Sequence, residues 1–119
     1  ADKVANPDNL KFSEKMRTLF IGEDSGMHVN NFVWAYNVDT KELSRIMSAP
    51  AGAESTGLFV ADNINGWTYI MSNFQHAGDW EKFHSVVQPA LDPLIRANYK
   101  DRFGAAVGYL TAQASSIKL

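Results

Sequence analysis

The sequence contains no cysteine, which excludes disulfide bonds, thiolate metal ligands and cysteine nucleophiles together. It has no apolar run near the roughly 18 residues that a membrane-crossing helix requires, so no membrane span is expected. Charge of one sign is also in short supply. The 11 basic and 13 acidic residues leave a formal net charge of −2. The basic residues are scattered rather than gathered into a stripe that could track phosphates, which argues against a nucleic-acid partner. There is no zinc-type ligand spacing, no glycine-rich Walker loop and no GxSxG elbow. The first residues, ADKVANPDNL, carry neither the basic nor the apolar region of a signal peptide. They read either as a mature terminus after cleavage or as a cut inside a longer protein.

What the chain does have is apolar material for one core. Its 119 residues are 45% hydrophobic and 20% charged, and a single domain of this length buries roughly two-thirds of the surface its unfolded chain exposes. Periodicity then divides the chain. Over residues 1–78, short apolar or alternating runs are broken by Gly, Asn, Asp and Pro, the pattern of antiparallel strands. Strands are expected at 16–22, 31–38, 43–48, 57–61 and 67–73, with turns at DTKE (39–42) and DNING (62–66) making two hairpins. From 79 the spacing becomes helical. Asp79 is placed to cap a helix carrying Trp80, Phe83, Val86 and Val87, with Pro89 and Pro93 interrupting or restarting it. Further helical stretches are expected through Leu94, Ile95 and Tyr99, and through Phe103, Val107 and Leu110, although Gly104 and Gly108 each cost about 1 kcal/mol in a helix. The last residues, AQASSIKL, read as a loose tail. The expected fold class is mainly β with C-terminal helices (α+β), an antiparallel sheet like one to two propeller blades under a helical cover.

Four polar segments adjoin these strands. IGEDSGMHVNN (21–31) puts Glu23 and Asp24 where a strand runs out, with Asn30 and Asn31 following, a supply of the oxygens that hard cations require. It serves equally as a solvated turn with Asx hydrogen bonds. APAGAESTG (49–57) isolates Glu54 among small residues, and a buried carboxylate there needs a partner. SNFQHAG (72–78) brings Asn73, Gln75 and His76 to another strand end, where the histidine is a metal ligand, an acid–base group or a hydrogen-bonded surface imidazole. NPDNL (6–10) adds Asp8 and Asn9. His84 reads as structural.

In order and approximate spacing, NPDNL, LFIGEDSGMHVNNFVWAYNV, IMSAPAGAESTGLFV and SNFQHAGDW resemble the carboxy-terminal part of the PhoX-type alkaline phosphatases over about residues 6–80. The resemblance implies a β-propeller, periplasmic or secreted, that hydrolyses phosphomonoesters with iron and calcium at its central face. It implies Glu54 as the foremost metal ligand, Glu23, Asp24 and Asp8 as further metal groups, and Asn31, His76 and Asn9 as residues that orient them. QHAG stands where QHPG is expected. The family's iron-ligating cysteine and arginine-bearing phosphate segments have no counterpart, and a chain this short supplies at most one or two blades. A fragment or short homologue, inactive or weakly active alone, is therefore expected, self-associating or pairing with the rest of a longer protein. The residues also admit a calcium- or small-ligand-binding module walled by Phe32, Trp34, Tyr36, Trp67 and Tyr69, or an interaction domain that uses its sheet edge.

Overall fold

The computed structural model describes residues 3–117. Among these residues, seven strands form two open antiparallel sheets. The first is a four-stranded meander of β1 (Pro7–Ser13), β2 (Thr18–Glu23), β3 (Phe32–Asn37) and β4 (Leu43–Ser48). The second joins β5 (Glu54–Ile64), β6 (Trp67–Ala77) and β7 (Gly104–Gln113) in the order β5-β6-β7. One helix, α1 (Gln88–Asn98), lies between β6 and β7 in the chain.

The turns follow their chemistry. Between β5 and β6, Asn65 (φ 51°) and Gly66 (φ 89°) both take left-handed conformations, as a two-residue type I′ hairpin demands. Between β3 and β4, the Asn37 side-chain oxygen accepts from the amides of Asp39 and Thr40 at 3.0 and 2.9 Å, closing an Asx turn.

The sheets meet through alternate residues. Met16, Phe20 and Val60 form a buried cluster, with Ala35, Ile46, Leu58, Ile70 and Ile117 packed against it. Phe20 pairs with Ala35 and Val60 with Ile70, so these residues mark the inner faces. By the two-residue period of a strand, Trp34 and Tyr36 lie on the outer face of the first sheet, and Trp67 and Tyr69 on the outer face of the second. The five aromatics considered as walls of one pocket are thus split between opposite sides of the molecule. A second core is built from small residues, Ala49, Ala51, Ala53 and Ala77, capped by Ile95 of α1 with Leu91 and Trp80 alongside.

The carboxy-terminal third departs from expectation. Residues 104–113 form a strand, not a helix. The helical spacing of Phe103, Val107 and Leu110 is outweighed by the two glycines and by the open edge of β6, with which β7 pairs from Trp67–Gln113 to Ala77–Gly104. The helix expected from Asp79 is only a 3-10 turn, Lys82–His84, which leaves Phe83 73% and Val86 88% exposed. The continuous helix starts later because Pro89 suits a first turn, and it runs through Pro93. The expected tail is held as far as 117, where Ile117 packs into the inter-sheet core and Ala114 donates to the Gly66 carbonyl at 2.8 Å. Lys118 and Leu119 lie outside the described residues, as do Ala1 and Asp2.

Helix α1 is tied to the segment after β6 by Asp92, which accepts from Trp80 Nε1 at 2.7 Å and Arg96 Nε at 2.8 Å. The Arg96 bond and then the indole N–H hold the Asp92 carboxyl below its ordinary value of 3.8. A lowered folded-state value contributes stability that is present above pH 3.8 and lost as pH falls through the folded value. Asp92→Ala is therefore expected to melt below the wild type at pH 6, with the gap closing on acidification below pH 4, as checked by melting temperature against pH.

Candidate metal centre

The carboxylate-rich segments meet at one end of the two sheets. Asp24 follows the last residue of β2, and its amide donates to the Asn6 carbonyl at 3.1 Å. Glu54 opens β5, and its register partner on β6 is Gln75, whose side-chain amide donates to Glu54 Oε2. His76 comes next, in a left-handed conformation (φ 44°), where the pairing of β6 with β7 skips between Phe74 and Ala77. Such a bulge re-aims a side chain out of the regular alternation. Here the imidazole Nε2 lies 3.3 Å from Glu54 Oε2.

One donor atom from each of Asp24, Glu54 and His76 falls within 4.8 Å of the other two, a spacing that a single cation can bridge. The other imidazole nitrogen, Nδ1, lies 3.3 Å from the Gly52 carbonyl and 3.7 Å from Asp79 Oδ2. That is the backing which fixes tautomer and orientation in metal-bound histidines. Gly52 itself has φ 73°, and a Cβ there would come within 2.9 Å of the Asp79 amide, so only glycine allows this approach. A cavity of ≈ 150 Å³ opens beside Asp24 and His76, lined also by Asn31, Asp79 and Glu81, though not by Glu54, and among the described residues by no lysine or arginine.

Glu54 is 6% exposed. Burial raises its pKa, and Asp8 and Asp24 add to the shift, against the opposing pull of Gln75 and His76. Asp8, an exposed residue of β1, is thus within reach of Glu54. Asn9 fastens that strand to β5. It donates to Asp8 Oδ2 at 3.0 Å and to the Ser55 carbonyl at 3.5 Å, and accepts from Thr56 Oγ1 at 3.3 Å. Asn31 spans the site's two sides, accepting from the Ser25 amide at 3.0 Å and donating to the Ala53 carbonyl at 2.9 Å. It therefore sets the loop of Asp24 against the start of β5.

Glu23 stands apart from this group. Its buried carboxylate accepts from the amides of Ala5 and Phe32, both at 2.9 Å, and faces His28 Nδ1 at 3.1 Å. His84 is 1% exposed, with Nδ1 accepting from the Glu81 amide and Nε2 donating to the His28 carbonyl. Both of its nitrogens are committed to backbone, as a structural histidine requires. Asp79, expected to cap a helix, instead stands 3.7 Å from His76 Nδ1. Its spacing of three from the histidine across Gly78 was the available signal.

No protein-family model, curated protein or solved structure matches the chain. The PhoX resemblance therefore rests on the motifs themselves.

Two variants separate the acids. Glu23→Ala strands two half-buried amide hydrogens and is expected to cost about 1–3 kcal/mol in denaturant unfolding. Glu54→Gln removes a buried charge flanked by two other acids while keeping an acceptor, and is expected to raise metal-free stability at pH 7 by about 1 kcal/mol.

Proposed function

We propose that this chain is a metal-binding β-sheet module of a phosphomonoester hydrolase of the PhoX type, with its cation held by Asp24, Glu54 and His76. The observation that carries this reading is convergence. Three motifs far apart in the sequence, EDSG, PAGAE and QHAG, each contribute one donor to a single cluster. Turns that were polar only for solubility would have no reason to converge, nor to hold a buried carboxylate beside two others without a cation.

Two carboxylates and an imidazole suit iron(II), manganese(II) or zinc, and calcium would draw further oxygens from Asp8 and water. Bound there, the metal would supply a Lewis acid that polarises a phosphoryl oxygen and offsets developing charge. The chain's own part is to fix the donors. Asn31 and Asn9 align the loops, Gln75 holds Glu54, and Gly52 and Asp79 back the imidazole. Because no cationic side chain among the described residues lines the cavity, attraction of a phosphate would rest on the ion. Weak turnover or none is therefore expected from this chain alone.

One to two propeller blades are the architectural proposal. It is supported by the four-stranded meander, by the packing of β1 and β2 against β5, and by a radius of gyration of 15.2 Å. A closed compact domain of this length would have about 13.5 Å.

Titration of the metal-free protein with iron(II), manganese(II), zinc and calcium, followed by melting temperature and calorimetry, tests the site. At least one ion is expected to bind stoichiometrically and raise the melting temperature, as a ligand of the native state must. Glu54→Gln and His76→Ala should each weaken binding by about 10-fold or more, and Glu42→Gln, in the β3–β4 turn, should not. Equal affinities across the three variants would refute the assignment.

A further inference from the structure

We infer that the free edge of β7 is a self-association site, at which β7 pairs antiparallel with β7 of a second copy about a two-fold axis through Gly108. β7 ends the order β5-β6-β7, and among the described residues it is paired on one side only. Its other side offers a row of backbone donors and acceptors. Natural proteins blunt such edges with lysine, proline, inward charge or a covering element. The other edges here are managed in this way: β1 carries Pro7, Asp8 and Lys11, β4 carries Arg45, and β5 is packed against β1 and β2. The ten residues of β7, GAAVGYLTAQ, include no charge and no proline, and Val107 and Tyr109 are 74% and 61% exposed.

The strand is also complementary to itself. With Gly108 opposite Gly108 of the second copy, Val107 faces Tyr109, Ala106 faces Leu110 and Ala105 faces Thr111. Each of these rows sets the smaller side chain against the larger, the arrangement that fills a cross-strand pair without a void or a clash. Val107 and Tyr109 share the outer face with Asn73 and Met71, their partners on β6, and Tyr109 packs edge-on to Tyr69 at 5.4 Å. Pairing would make one six-stranded sheet and join the exposed apolar faces of the two copies. A two-fold axis closes the assembly at two, where a head-to-tail contact would propagate. A second copy is thus favoured over an unrelated strand because the side-chain rows match. The inference does not rest on the metal reading, since none of the proposed ligands lies on β7.

Sedimentation velocity of the whole metal-free chain over a concentration series tests it. A reversible dimer is expected, and Val107→Lys should raise its dissociation constant about 10-fold or more. The melting curve of that variant at low concentration should be unchanged, because the side chain is 74% exposed. Gly108→Cys gives a direct reading of register. A Cβ there has only the Ser72 carbonyl at 4.0 Å, and the chain has no other thiol. The axis puts the two thiols in directly opposed positions with Cα atoms about 4.5–5.5 Å apart, within disulfide reach. Mild oxidation should therefore cross-link Gly108→Cys and spare Thr111→Cys, whose copies stand about 20 Å apart in this register. A monomer at every concentration would overturn the inference and leave the edge to a strand of another protein. A dimer that Val107→Lys leaves intact, or that cross-links equally through both cysteine variants, would overturn it as well.

Discussion

A buried carboxylate with no freedom to move, Glu23, is the constraint on which the acidic end of the molecule depends. Its two oxygens take the amide hydrogens of Ala5 and Phe32, so the lead into β1, the end of β2 and the start of β3 are held at one point. Amides at strand ends have no partner in the ladder, and a buried amide without one is costly. By satisfying two of them, Glu23 lets the loop from 24 to 31 leave the sheet in a defined direction. Asn31 then carries the constraint across to Ala53, one residue before Glu54.

The candidate site is built on this frame and is less self-sufficient than the frame itself. Glu23 has two amide donors and a histidine, whereas Glu54 has Gln75 and an imidazole set against Asp8 and Asp24. The difference divides a carboxylate held by backbone donors from one whose charge is opposed by burial and by neighbouring acids. A buried acid among acids, beside a histidine forced into a left-handed backbone, conflicts locally with folding stability, and such conflicts concentrate where a site binds something.

The same incompleteness recurs at larger scale. A sheet with one wet face normally alternates apolar and polar residues, yet the outer face of the β5–β7 sheet presents Phe59, Trp67, Val107 and Tyr109 to solvent. Across the molecule, Leu10 and Phe12 of β1 are exposed in a similar way. Both sheets thus carry apolar side chains on each face, the composition of sheets packed on both sides. The acidic cluster at one end and the apolar faces left open along the sides are the features that the proposed cation and the proposed second copy would complete.

The two hairpins and the polar character of the strand ends were legible in the sequence, because strand alternation and turn chemistry act over a few residues; β1 was not, since NPDNL begins it with turn-forming residues. Asn65-Gly66 specifies its hairpin alone, and the strand at 43–48 lies where its apolar run indicated. The fate of 104–113 was not legible, since a weak helical spacing with two glycines yields to whichever long-range hydrogen bonds exist, and those belong to β6. The site divides in the same way. The sequence by itself determined which residues could ligate, for Asp24, Glu54 and His76 stand in recognisably polar motifs at strand ends. Only the tertiary structure decided that those three converge while Glu23 turns to backbone amides, because convergence depends on strand register and on a bulge at His76 that no local pattern encodes.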